Sequence, residues 1–337
     1  MSKFKIFLFP LLLILCIIYF YEPTHDKVNA AEEKTISVYS VFPDDLTLAL
    51  LNSYKVTSKS DVNFQLFDKR IPLEATKQKP DIYLASREML IALSQDQQLQ
   101  ALSISQSSTG LSLLADEHNS WQSFCYDPYI FLVNYNYARK TGQKNLRTWS
   151  DLVLQENISI SMEDLSSTPE MRYFLAAMTS SMGEEKAIEY FKILHKKIPH
   201  YAKFAISPIR LTTIGETDVA ITSRNKVFKY IENDFPAFLV TPLDGVPAKV
   251  FAIGLDKESN FNETGSAFAK WLITDKTAAE IAERLGYGYL FISTEESSAI
   301  INKPDRLWLD TKYMTEDRQS ELVDTWLQNV RFASKKN

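Results

Sequence analysis

Few residues in this chain have types and spacings that could do chemistry. Beyond residue 30 it holds three histidines, His118, His195 and His200, and one cysteine, Cys125. No two histidines stand at a metal-ligand spacing such as HExxH. His195 falls near the end of a helical stretch among lysines, where a solvated face is the ordinary reading. Cys125 with a distant histidine could serve a thiol enzyme, but no local signature accompanies it. A small buried apolar residue is the plainer reading, because cysteine is among the most buried types. None of the nine glycines forms a GxGxxG, a GxSxG or a phosphate loop. Dinucleotide and serine-hydrolase chemistry therefore lack their motifs. These absences speak against an enzyme, and no cofactor or catalytic metal site is expected.

Short apolar runs alternate with helical patterns along the chain. Strands are expected over 35–42, 63–67, 81–85, 129–135, 158–162, 219–222, 237–243 and 250–255. Helices are expected after Pro43-Asp44-Asp45, whose acids suit a first turn, and over 73–78, 87–97, 146–156 and 184–197. Ser167-Thr168-Pro169-Glu170 has the form of a capping box for a helix running to about residue 182. Ser207-Pro208 opens a short helix with a cap and a proline. From about residue 266 the pattern is mainly helical, with its longest helix over 315–332. Such alternation implies βαβ units and mostly parallel sheets. Ligands bind outside the carboxyl ends of such strands, where helix N-termini point. The candidate site segments are 40–44, 85–87, 162–168, 205–210 and 222–225.

The first thirty residues have the layout of a secretory signal: Lys3 and Lys5, an apolar run over 6–21 broken by Pro10, then Val28-Asn29-Ala30-Ala31. About 16 apolar residues fall short of the roughly 20 that cross a bilayer. An uncleaved anchor is the competing reading, because the polar gap from Tyr21 to Ala30 is long. Leu15 before Cys16 speaks against a lipid anchor. The rest carries no second long apolar run and reads as soluble, with length for about two domains. Composition is ordinary, 45% apolar and 23% charged. Without residues 1–30 the balance is 34 basic against 40 acidic residues, or −6. That argues against a nucleic-acid partner, which favours a basic patch. Cys125 then stands alone, so no internal disulfide can form.

Six stretches, taken in order, carry a resemblance. Ile36-Ser37-Val38-Tyr39-Ser40 is similar to an opening strand, and Lys79-Pro80-Asp81-Ile82-Tyr83-Leu84 to a strand ending at a ligand-facing loop. Phe131-Leu132-Val133-Asn134 with Trp149-Ser150-Asp151-Leu152 is similar to a crossover between lobes. Gly183-Glu184-Glu185-Lys186-Ala187 and Gly215-Glu216-Thr217-Asp218-Val219-Ala220-Ile221 complete the series. In this order the chain, over about 36–302, resembles the extracellular solute-binding proteins of ABC importers. The branch is the one that includes ferric-iron, phosphonate and phosphoglycerate binders. The resemblance implies an α/β, type 2 periplasmic-binding-protein fold, two lobes joined by a two-strand hinge. Lobe one would be 34–130 plus 246–337 and lobe two 131–245, with crossings near Val133 and Thr241. It implies a monomer at the periplasmic or outer membrane face that closes on a small-molecule solute and docks on permease subunits.

Ferric-binding members place two adjacent tyrosines after the strand that ends at Thr222-Ser223. Arg224 and Asn225 stand there. A guanidinium cannot ligate iron, and its planar fork suits phosphate, phosphonate or carboxylate. Ser167, Thr168 and Ser207 could donate beside helix N-termini, Arg87 could add a second positive charge, and Ser40 opens the first site segment. Tyr126 and Tyr39 could line the cleft or belong to the core; core is favoured for Phe42. The expected solute is a small anion, phosphorylated or a phosphonate. A cationic or metal ligand, using Asp44, Tyr126 or Glu163, and a sensor subunit of the same fold stay open.

Overall fold

The computed structural model describes residues 35–68, 73, 78–104, 114–142, 146–231, 236–290 and 307–333. The expected signal segment 1–30 and most of the expected helix 73–78 lie outside the described residues. Elements run β1 (Thr35–Ser40), α1 (Asp44–Ser58), β2 (Asn63–Leu66), β3 (Ile82–Ser86), α2 (Arg87–Gln95), β4 (Leu99–Gln100) and β5 (Trp121–Asn134). They continue through α3 (Tyr135–Thr141), α4 (Trp149–Leu154), β6 (Ile160–Met162), α5 (Pro169–Met182), α6 (Glu184–His195), α7 (Ile206–Thr213), β7 (Val219–Ser223) and α8 (Arg224–Ile231). The remainder is β8 (Ala237–Val240), β9 (Val246–Asp256), α9 (Asn262–Thr274), α10 (Lys276–Arg284), β10 (Gly288–Tyr289), β11 (Leu307–Trp308) and α11 (Glu316–Trp326). A π-helical turn, Leu327–Arg331, prolongs α11.

The strands follow the order β2-β1-β3-β9-β5-β7-β6. β1 and β3 pair in parallel, Val38 against Ile82, as do β6 and β7, Ile160 against Val219. The long strands do not. β9 runs antiparallel to β3 and to β5, and β5 runs antiparallel to β7 and β8. The expected mostly parallel sheet is therefore mixed, because two strands that pass between layers enter each one against the direction of their neighbours.

β5 is the spine. Trp121 to Pro128 pair with β9, and Tyr129 to Val133 pair with β7. The strand thus changes partners at Pro128, not near the expected Val133. Proline cannot donate to a ladder, and here it stands where one set of partners gives way to the next. Thr241 lies in the return connection between β8 and β9.

Two apolar clusters flank this spine. The first gathers Val38, Leu50, Ile82 and Leu84 with Phe268 and Leu272 of α9 and Ala278 and Ala282 of α10. The second gathers Phe131, Trp149, Ile160, Phe174, Phe191 and Val219. Tyr313, Leu322, Val323, Trp326 and Val330 also belong to the second. The last part of the stretch expected in the first lobe, 246–337, thus packs on the second cluster. Arg331 ties that end down, stacking over Tyr201 at 4.4 Å with Nε 3.4 Å from Asp164. Burying each large apolar side chain contributes roughly 1.5–3 kcal/mol, which is why α11 docks on the second cluster.

Candidate functional site

Three helix first turns converge on one cleft. β1 ends at Ser40, whose buried hydroxyl accepts from the Phe42 amide and bonds Thr47 Oγ1 at 2.7 Å. That turn delivers Pro43 to the N-cap of α1, where it offers no side-chain cap. α7 starts at Ile206 behind Ala205, which likewise offers none. The expected start at Ser207-Pro208 is thus two residues late, because Ser207 donates its own amide to Phe204 O inside the first turn. α8 leaves β7 directly at Arg224.

The cleft has a volume of about 290 Å³. Pro43 and Asp45 from α1, with Leu285 and Tyr287 after α10, form one wall. Ala205 and Ile206 of α7, with Asn225 and Lys226 of α8, form the other. Asn225 joins the walls: its Nδ2 donates to Leu285 O at 2.7 Å, and its backbone amide donates to Asp127 Oδ1 at 3.1 Å. Gly286 lets the walls approach this closely. Its φ is +86°, and a Cβ there would lie 2.8 Å from Asn225 Cα and 3.0 Å from Arg224 O.

Charges of both signs meet beneath the cleft. Burial pushes the Asp127 carboxyl up to about 6, against the opposing pull of the Asn225 amide, Lys226 and Lys249. The Ser223 hydroxyl lies beside that carboxyl without completing a hydrogen bond of good geometry. Lys226 Nζ stands 3.7 Å from buried Glu163, and Lys249 Nζ 3.4 Å from Glu170. Burial works to raise Glu170, but Lys249 with a backbone hydrogen bond and Lys226 hold it below the usual carboxylate range. Burial raises the Tyr287 hydroxyl, so it stays neutral and can donate.

None of the seven expected site residues is among those lining this cleft. Ser40 is buried in the turn described above. Arg87 is 1% exposed; its Nε donates to Glu88 at 3.1 Å and its Nη2 to Asp310 O at 2.6 Å. Tyr126 is buried, and its ring occupies the space a side chain at Gly288 would need. Thr168, not Ser167, caps α5, accepting from the Met171 amide, while Ser167 Oγ bonds Asp164 O. Ser207 and Arg224 each adjoin a lining residue, and Arg224 stacks on Phe228 at 5.0 Å.

The expected segments fare better than the expected residues: Pro43, Ala205, Ile206 and Asn225 all come from them. Lys226 lies one residue past such a segment and Asp45 one past another. Asp127, Leu285 and Tyr287 carried no signal, since nothing in local periodicity sets them apart. Among the described residues no group of three His, Cys, Asp or Glu side chains could hold a metal ion. No described helix is long and apolar enough to cross a membrane.

No family sequence model matches the chain. A protein of Haemophilus influenzae without assigned function is 25% identical over 213 residues, covering 60% of this chain. The match spans 61% of that relative's length. Solved structures align over far more. The periplasmic binding protein AfuA of Actinobacillus pleuropneumoniae, with fructose 6-phosphate bound, shares 19% identity over 89% of this chain and 99% of its own, TM-score 0.62. A putative extracellular solute-binding protein of Bordetella parapertussis shares 14% over 89% and 99%, TM-score 0.68. Iron-bound HitA of Pseudomonas aeruginosa shares 13% over 88% and 98%, TM-score 0.63. The chain has the two-lobed α/β fold of the type 2 periplasmic binding proteins.

Proposed function

We propose that the chain is the solute-binding receptor of an ABC importer, closing its lobes on a small anionic organic solute, phosphorylated or a phosphonate, and delivering it to the membrane permease. It works as an exported monomer in the periplasm or at the outer membrane face, and it catalyses nothing. The described residues of 35–130 and 246–290 form one lobe, and those of 131–245 and 313–331 the other. They swing about β5 and the β8–β9 connection.

The convergence of three helix first turns with Lys226 on one cleft carries this reading. Each helix N-terminus presents about half a positive charge and free amides, an arrangement suited to anions. Against these stand Asp45, Asp127 and Glu163. Glu163 is offset by Lys226, and burial drives Asp127 toward its neutral form. The cleft sits at the small end of the roughly 300–1,000 Å³ usual for ligand pockets, which suits a small solute. Phosphonates, phosphoglycerates, inorganic phosphate and carboxylates are the solutes to test by thermal unfolding of the full chain. A solute at a hundredfold excess over its Kd stabilises by about 2.7 kcal/mol. The melting shift produced by one anion should disappear in Lys226→Ala; a shift that survives it refutes the placement.

Asp45 on the cleft wall favours a second reading, a cationic solute. A melting shift with polyamines or ferric citrate alone would select it.

A further inference from the structure

Asp127 is a carboxyl with no place in a simple anion-binding cleft. It sits on β5 one residue before the strand changes partners, and it accepts the backbone amide of Asn225, in the first turn of α8 on the opposite wall. Every element packed around it presents a charged or titratable group or a donor. Lys249 comes from β9, Lys226 and the Asn225 amide from α8, Ser223 from β7, Tyr287 from beyond α10, and Cys125 and Tyr129 from β5 itself. Asn225, Lys226 and Tyr287 line the cleft, so Asp127 lies directly behind its wall.

We propose that Asp127 couples solute capture to proton uptake: as an anionic solute settles against Asn225, Lys226 and Tyr287, the carboxyl behind them gains a proton from solvent. This deepens the anionic reading and rests on it. A second negative charge arriving near a half-buried carboxylate, and competing for Lys226, disfavours its ionised form. The Asn225 amide keeps its acceptor, because the carbonyl oxygen of the neutral acid still takes that hydrogen bond. Burial has already brought the carboxyl to about 6, so the coupling operates close to neutral pH. A bound-state shift of one unit makes binding about eightfold tighter at pH 5 than at pH 8, apart from any change in the solute itself.

The test is calorimetric titration of the full chain with inorganic phosphate, 3-phosphoglycerate and sulfate, in buffers of differing ionisation enthalpy. Wild type is compared with Asp127→Asn. The second ionisation of a phosphate near pH 6 contributes to both proteins and cancels in the difference, and sulfate does not titrate there. Wild type should take up a fraction of a proton more than the variant near pH 6 to 7, and the variant's affinity for sulfate should be flat with pH. Equal proton uptake overturns the coupling and leaves the anionic reading standing. Proton release from wild type relative to the variant likewise overturns the coupling alone, and no binding of any of these anions overturns both. If Asp127→Asn does not fold, carbon-13 NMR of the wild-type carboxyl serves instead. Its midpoint should rise when sulfate is added, and an unmoved midpoint with sulfate bound overturns the proposal.

Discussion

Replacing Gly286 with alanine tests whether the two cleft walls are held in register by a backbone approach that only glycine permits. At φ +86° the substitution costs about 1–2 kcal/mol for the left-handed backbone alone. The new Cβ would also lie 2.8 Å from Asn225 Cα and 3.0 Å from Arg224 O. Both are backbone atoms, so the strain cannot be relieved by a rotamer change and adds about 1–3 kcal/mol. The total of about 2–5 kcal/mol should lower the melting temperature by roughly 4–10 °C, at about 2 °C per kcal/mol for a protein of this size. Gly142→Ala supplies the control. Its φ is +75°, yet an added Cβ meets nothing within 4 Å, so it suffers the backbone cost without the clash. Differential scanning calorimetry of both variants isolates the contact term. Equal melting temperatures would refute the argument that α8 and the Leu285–Gly286 turn are pressed together. Solute affinity should fall only in Gly286→Ala, because displacing α8 moves Asn225 and Lys226 off the wall.

Two further outcomes follow from burial. Asp127 has a folded value near 6, raised from an ordinary value near 4. The sign is therefore that of a group that stabilises the fold below about pH 4 and loses that contribution as pH rises through 6. The stability of Asp127→Asn relative to wild type should grow by up to about 3 kcal/mol between pH 4 and 7; a pH-independent difference in urea midpoints would contradict this. Trp326 is fully buried and meets Tyr201 edge-on at 5.6 Å. Trp326→Ala should destabilise the chain by about 3–5 kcal/mol, and a urea midpoint close to wild type would show that α11 does not belong to the second cluster.

The sequence made the architecture readable where its signals are local. Alternating short strands and helices gave the α/β class, the order of the family-like stretches gave the resemblance that implied two lobes, and strand ends named the segments that supply half of the cleft. The failures have physical causes. Pro128 hid the first half of β5, since a proline ordinarily ends a strand and here marks a change of partners. Ser40 ends β1, Arg87 opens α2 and Tyr126 lies within β5, and each is buried and taken up internally. A propensity pattern does not distinguish a polar side chain that binds from one that holds a turn. Leu285 and Tyr287 reach the cleft, and Asp127 the space behind its wall, only through long-range packing. The crossing of 313–330 into the second cluster was equally invisible, because an amphipathic stripe does not say which apolar face it will meet.

That crossing has a mechanical consequence. β11 runs parallel to β9, with Leu307 beside Val246 and Trp308 beside Pro247, and the Trp308 ring fills the space over Gly245 before the chain reaches α11. The passage at 307–313 is thus a third strap beside β5 and the β8–β9 return. Two bodies joined by two parallel straps can both swing and twist. A third strap at the same edge leaves the swing and stiffens the twist. In the closure proposed above, the two walls would therefore meet in one alignment each time.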